Sequence, residues 1–301
     1  MTTLTLPNGD ELDFDEAITA REAVEAIGSG LADDALVAEF DGELIDLSTT
    51  IEDDGSFKVY TWDDEEGKEV FRHTTAHVLA QAVQRLYDDV DITIGPPTED
   101  GFYYDFDAEP FTDEDLRDIE EEMQVIVDED YDVEREEVSY EEARERLEGN
   151  AYKLDILEDI KDAGETISFY SQGEFEDLCR GPHLPSTGRI KAFKLLRSSG
   201  AYWRGDEHNP QLQRIYGTSY PREKDLDDHL AFLEEAKERD HRKLGAEHDL
   251  FTSSSLVGKG LPVFQPKGAR MREILKEYLW SLHEDKGYER IWTPHIAKWD
   301  L

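Results

Sequence analysis

Thr3-Leu4-Thr5-Leu6-Pro7-Asn8-Gly9-Asp10-Glu11-Leu12-Asp13-Phe14 decides the first part of the fold. Leu4 and Leu6 alternate with Thr3 and Thr5 at the two-residue period of a half-buried strand, and Leu12 and Phe14 continue a second strand beyond Asn8-Gly9. The Asn-Gly pair predicts a type I′ hairpin turn, with positive φ at both residues. Thr19-Ala20-Arg21-Glu22 then forms a capping box that opens a short helix. Ala23, Val24 and Ile27 give that helix an apolar face, and Gly28 is placed to stop it in the left-handed conformation. Residues 35–40 and 43–47 read as a second hairpin about Asp41-Gly42, followed by a last strand with Phe57, Val59 and Tyr60. Two strands, a helix and further strands within residues 1–63 spell a β-grasp (ubiquitin-like) domain. The acidic stretch Asp63 to Gly67 reads as a linker.

A second α+β domain is expected over residues 64–222. His73 to Tyr87 has helical spacing, with Ala76, Leu79, Ala80, Val83 and Leu86 on one face. Gly95-Pro96-Pro97 interrupts the chain, and Gly101 to Phe106 reads as a strand. Thr112 to Asp115 caps a helix with Leu116, Ile119, Met123, Ile126 and Val127 as its buried stripe. An extended Val133 to Val138 leads to a helix capped at Ser139, a shorter helix to Ile160 and a strand from Thr166 to Tyr170. Leu178 to Tyr220, rich in Gly, Pro and aromatics, reads as irregular. A rod-like linker helix is expected over 223–245, closed by Gly245. Residues 246–301 give a helix with Met271, Ile274, Leu275, Tyr278, Leu279 and Leu282, then a strand from Tyr288 to Thr293 and Pro294. This last stretch is too short to bury a core alone.

Bulk properties narrow the class. With 73 acidic against 32 basic residues the net charge is -41, yet 38% of residues are hydrophobic and 10% aromatic. That pairing favours a folded protein with a carboxylate-rich surface over disorder. It suits a halophile's cytoplasm, where molar salt cuts the Debye length to roughly 3 Å and screens self-repulsion. No apolar run approaches the roughly 20 residues of a membrane span, and no secretory signal opens the chain, so a cytoplasmic location is expected. The single Cys179 has no partner for an internal disulfide. Between Arg180 and Lys224 nine basic residues meet only three acids, a basic island that points to an anionic partner.

Chemistry concentrates in two short stretches. His73-Thr74-Thr75-Ala76-His77 puts two imidazoles at i and i+4 on one helix face. Cys179-Arg180-Gly181-Pro182-His183 puts a thiol and an imidazole at the same spacing on a Gly-Pro turn. His73, His77, Cys179 and His183 make a plausible tetrahedral zinc set, in which an open position would generate hydroxide. They equally make a metal-free pocket whose histidines position water and move protons. Spacing does not choose between the two.

Those stretches resemble the threonyl-tRNA synthetase family. His73-x-x-x-His77, Gly95-Pro96 with Gly101-Phe102-Tyr103-Tyr104-Asp105, and Asp177 to His183 look like the family's editing domain. So do Gly200-Ala201-Tyr202-Trp203-Arg204-Gly205-Asp206 and Leu212-Gln213-Arg214-Ile215-Tyr216-Gly217-Thr218. Residues 1–63 resemble the family's TGS module, and His241 to Gly245 with Tyr288 to Pro294 resemble the entry to a class II core, Pro294 matching the motif 1 proline. The likeness covers the chain and implies a β-grasp TGS domain, an editing domain, a linker helix and a truncated class II core. The family ligates threonine to tRNA(Thr) with ATP, Mg and Zn, and works as a homodimer. Its ATP-binding motifs, zinc ligands and anticodon domain lie beyond Leu301, so this chain is not expected to aminoacylate by itself.

The resemblance implies hydrolysis of Ser-tRNA(Thr). Serine lacks one methyl of threonine, a difference worth about 1–3 kcal/mol, which one binding step cannot turn into sufficient fidelity. It carries His73, His77, Cys179 and His183 over as the editing pocket, and Lys153 as a group for the terminal ribose or the developing oxyanion. Tyr104, Asp177 and Gly95 are carried over as substrate-binding positions. Arg180, Arg189, Lys191, Lys194, Arg197 and Arg204 of the basic island are expected on the tRNA acceptor stem. The threonyl enzymes edit without a required metal, so water-based cleavage with His73 helping to position or deprotonate water is expected, and no cofactor for editing. Two other readings remain: a zinc-dependent free-standing deacylase, and a non-catalytic tRNA-binding or regulatory TGS module.

Overall fold

The computed structural model describes residues 2–258 and 260–293. It divides into two units, residues 1–228 and 229–301.

The first unit begins with β1 (Thr2–Thr5) and β2 (Glu11–Phe14), paired antiparallel with Leu4 opposite Leu12. Only Gly9 of the connecting turn takes positive φ, at 87°, so the expected type I′ turn is not formed. Pro7, with φ fixed by its ring, instead starts a three-residue loop in which Asp10 accepts from Leu6 and Gly9 supplies the left-handed step. β3 (Ile18–Thr19) precedes α1 (Ala20–Ile27), whose Thr19–Glu22 capping box forms in both directions. Gly28 is extended rather than left-handed (φ 167°), because the chain continues straight into α2 (Ser29–Asp34). β4 (Val37–Phe40) and β5 (Glu43–Ile45) flank Asp41 and Gly42, both at positive φ, and β6 (Thr50–Ile51) and β7 (Gly55–Tyr60) follow. The sheet order β2-β1-β7-β4-β5, with β1 and β7 parallel at its centre, is that of a β-grasp.

Of the expected linker at 63–67, residues 65–67 are already helical. α3 (Glu65–Leu86) starts eight residues before His73, with Glu65 and Glu66 at its positive end and Asp64 accepting from the Thr61 N–H at 2.9 Å. α3 is buried on nearly all sides, so its polar side chains need internal partners. Thr75 bonds the Phe71 carbonyl and Ser219, Gln81 bonds Gln172 and Glu174, and Arg72 bonds the Thr98 and Glu99 carbonyls. β8 (Asp91–Ile92), β9 (Pro97–Thr98), β10 (Gly101–Asp107) and α4 (Asp113–Glu129) come next, α4 burying the expected stripe from Leu116 to Val127.

β11 (Val133–Glu137), α5 (Tyr140–Arg146), α6 (Ala151–Ala163), β12 (Ser168–Gln172) and β13 (Phe175–Leu178) form a three-stranded sheet and two helices around Ala143, Leu157, Ile160 and Phe169. The stretch read as irregular contains β14 (Ala192–Tyr202) and β15 (Gln211–Tyr220), a long antiparallel ribbon beside β10. A bulge between Leu195 and Arg197 breaks the two-residue alternation that would have announced β14.

The expected single rod is two helices, α7 (Glu223–Glu238) and α8 (His241–Glu247). Asp240 interrupts them by capping α8 through the Arg242 N–H at 2.7 Å. Gly245 lies inside α8 against the Phe251 ring rather than closing the helix. In the second unit β16 (Phe251–Thr252) pairs with β17 (Val263–Phe264), and α9 (Pro266–Glu284) follows with Met271, Ile274, Leu275, Tyr278 and Leu279 exposed. Among the described residues no strand forms over 288–293, and Pro294 lies outside them.

Candidate active site

Several secondary elements each deliver one piece of a single side-chain cluster. α3 carries His73 and His77 at the helical i, i+4 spacing, and their ring centroids lie 5.1 Å apart. β13 leads directly into Cys179, and a tight turn at Gly181 (φ 68°) brings His183 back over α3. A Cβ on Gly181 would lie 1.9 Å from the Tyr170 hydroxyl, so the turn needs glycine for space as well as for φ. The His183 ring lies 4.3 Å from His73 and 4.2 Å from His77. Cys179 Sγ is 3.4 Å from His73 Nε2 and 3.3 Å from His183 Nε2, and donor atoms of all four residues fall within 4.8 Å of one another. His77 and His183 are buried, while His73 and Cys179 are partly open.

A charged cluster adjoins these rings. Lys153 Nζ, from the first turn of α6, lies 2.5 Å from Asp177 Oδ1 at the end of β13. The Tyr104 hydroxyl of β10 donates to Asp177 Oδ2 at 2.6 Å, and Lys153 Nζ is 3.4 Å from the Tyr104 oxygen. Asp177 Oδ2 is 3.8 Å from His77 Nε2, which joins the two halves. Lys153 and Asp177 are each only 3% exposed, so the pair satisfies two charges that burial alone would penalise. Gly95 packs on Tyr104, where a Cβ would lie 2.1 Å from the ring and push it off Asp177.

Electrostatics set the protonation states. Burial, then the Lys153 ammonium, lowers the His73 imidazole from 6.5 to about 4. Burial also holds His77 and His183 well below their ordinary range, assisted by the neighbouring imidazoles. All three are neutral at pH 7. The Cys179 thiol is pushed up to about 12, by burial and then by the Asp177 carboxylate, and stays protonated. It therefore lacks the thiolate character of a cysteine nucleophile.

The donor set nevertheless fits zinc. Bonds of about 2.0–2.3 Å in a tetrahedron put donor atoms roughly 3.3–3.8 Å apart, and the two Cys179–imidazole distances of 3.4 and 3.3 Å fall in that range. Thr74 Oγ1 lies 3.2 Å from His183 Nδ1, which leaves Nε2 facing the cavity. His73, His77, Cys179 and His183 would hold the ion, which when bound would draw off the thiol proton and fill all four positions.

All eight residues expected in the pocket, from His73 to His183, belong to this cluster or pack on it. The basic island has a different character from a free cationic face. Arg180 pairs with Glu165 at 2.5 Å, Lys194 with Glu120 at 2.6 Å, and Arg204 with Asp155 and Asp159 at 2.8 and 2.6 Å. Arg189 donates to the Asp33 and Ala35 carbonyls, and Lys191 to the Gly188 carbonyl. Arg197 differs, its guanidinium lying 3.9 Å from the centroid of the Tyr216 ring. Sequence reasoning missed Thr74, Tyr170 and Asp46. Thr74 sits between the two histidines and was legible by position; Asp46 belongs to another domain and carries no local signal.

Comparison with known proteins identifies the domains and the family. Residues 2–61 match the TGS domain, and residues 167–216 match the "Threonyl and Alanyl tRNA synthetase second additional domain". The threonine-tRNA ligase of Acetivibrio thermocellus is 51% identical over 304 residues, covering 100% of this chain and 48% of that protein. That of Carboxydothermus hydrogenoformans is also 51% identical over 304 residues, with 100% and 48% covered. That of Caldanaerobacter subterraneus subsp. tengcongensis is 50% identical over 301 residues, with 99% and 46% covered. The chain thus spans about half the length of the relatives it matches. With about 50% identity along its whole length and a TGS domain ahead of a second additional domain, the chain belongs to the threonine-tRNA ligase family of class II aminoacyl-tRNA synthetases.

Proposed function

We propose that the cavity hydrolyses serine mistakenly esterified to tRNA(Thr), and does so with water and no metal. The observation that carries this reading is the meeting of neutral imidazoles and a buried Lys153–Asp177 pair in one cavity. The three neutral rings offer unprotonated nitrogens to water, and His73 is the one partly open to solvent. Water adds to the ester carbonyl, His73 takes its proton, and Lys153 faces the charge that grows on the carbonyl oxygen. The 3′-oxygen leaves with a proton, releasing serine and tRNA. In this reading Asp177 and Tyr104 recognise the seryl ammonium and hydroxyl, and threonine's extra methyl denies it the same fit.

Coordination number favours the metal-free route. Catalytic zinc keeps a position open for water, whereas four protein donors here would close the tetrahedron. Dialysis against a chelator is expected to leave deacylation unchanged; zinc near one per chain, with activity lost on its removal, would reverse the assignment. Arg197 is the member of the basic stretch offered to the acceptor end of tRNA(Thr), and its replacement by Ala is expected to weaken tRNA binding. Ligation of threonine with ATP, Mg²⁺ and Zn²⁺, dimerisation and a cytoplasmic location are proposed for the protein as a whole.

The deciding experiment incubates the chain with Ser-tRNA(Thr) and Thr-tRNA(Thr) in molar potassium chloride and follows each ester. Rapid loss of seryl ester with threonyl ester spared is expected. Equal rates for both, or no loss of either, would remove the assignment.

A further inference from the structure

The turn that carries Cys179 and His183 is held from outside its own domain. Asp46 lies between β5 and β6 of the β-grasp, yet the residue is 7% exposed and its carboxylate bonds groups of the neighbouring domain. Oδ1 accepts from the His183 backbone N–H at 2.8 Å, and Oδ2 accepts from the Tyr170 hydroxyl at 2.7 Å. These two partners bracket the turn. Tyr170 lies directly against Gly181 and 4.5 Å from the His183 ring, while the His183 N–H fixes the residue that ends it. On the other side Thr74 Oγ1 accepts from the Leu184 N–H at 2.9 Å, so the turn is gripped from both flanks.

We infer that Asp46 is a positioning residue of the editing cavity, contributed by the β-grasp domain to set the turn bearing Cys179 and His183. It touches no substrate. It acts by fixing a backbone N–H and a tyrosine hydroxyl, and so the separation of the thiol and imidazole from α3. A catalytic group displaced by about 1 Å can cost on the order of 100-fold in rate, which is the scale of effect expected from losing both bonds. As a claim about catalysis the inference rests on the deacylase reading; as a claim about geometry it stands apart from it.

The test uses Asp46→Ala, Asp46→Asn and Tyr170→Phe in the whole chain. Asp46→Ala is expected to lower kcat for Ser-tRNA(Thr) by roughly 100-fold with KM within about twofold. Asp46→Asn keeps an acceptor for the His183 N–H and is expected to recover most of that loss; Tyr170→Phe should fall between. A KM effect with kcat intact, or an Asp46→Asn variant as slow as Asp46→Ala, would overturn the inference. A second readout needs no activity. Cys179 is the chain's only cysteine, so its reaction rate with a thiol-specific disulfide reagent reports the turn alone. Asp46→Ala should raise that rate at least about tenfold while circular dichroism is unchanged. An unchanged thiol rate overturns the inference; an inactive parent chain with a changed thiol rate removes the deacylase reading and keeps Asp46 in its place. Should Asp46→Ala fail to fold, the Asp46→Asn and Tyr170→Phe pair decides by the same two measurements.

Discussion

His73 combines partial exposure with a pKa near 4, against an ordinary 6.5, and so keeps an unprotonated ring across the neutral range. His73→Ala is expected to abolish seryl-ester hydrolysis while tRNA binding persists, separating chemistry from recognition in one measurement. The depressed value also fixes a sign. Between about pH 4 and 6.5 the unfolded chain binds a proton at His73 that the folded chain does not, so its contribution is present above 6.5 and lost as pH falls towards 4. His77 and His183 are shifted in the same direction. A ring-proton NMR titration should place the His73 midpoint near 4; a midpoint at 6.5 would show that neither desolvation nor the Lys153 charge acts on the ring. Lys153 presents the opposite case of a charge kept buried by its partner. Lys153→Met leaves Asp177 uncompensated, and a denaturant titration should show a loss of about 3–5 kcal/mol.

Helix starts and apolar stripes were the legible parts of the elements. The capping box at Thr19 and the cap at Thr112 form as their sequences predict, because the pairing is local and needs no tertiary contact. Thr112→Ala should accordingly cost about 1 kcal/mol in a denaturation curve, and a neutral result would show that α4 is held by packing alone. Long-range pairing was not legible. β14 and β15 lie in a stretch whose bulge destroys alternation, and the pairing of β15 with the distant β10 leaves no local signal. The start of α3 was hidden for a related reason, since Gly67 and an acidic run mimic a loop. Gly67 is needed because a Cβ there would lie 1.9 Å from the Thr61 carbonyl oxygen. The four donors of the cavity were readable from spacing, while Asp46 was invisible because nothing near it in sequence marks the neighbour it braces.

At the scale of the whole chain, a net charge of -41 is carried by a surface crowded with carboxylates. Melting temperature is expected to climb steadily from dilute buffer to molar potassium chloride as repulsion is screened; a flat response would show that the fold does not depend on salt. No helix of the described residues is long and apolar enough to cross a membrane.

Leu36, Val37 and Tyr60 of the β-grasp belong to the same buried cluster as Val70, Phe71 and Phe102 of the next domain, and Trp62 stacks edge-on against Phe71 at 5.1 Å. Neighbouring domains swing freely unless a large apolar interface joins them. A shared core leaves no hinge at residue 63, so the two should tumble in solution as a single gyrating body. Fluorescence anisotropy decays from dyes placed on β2 and on β15 should then give one common rotational correlation time.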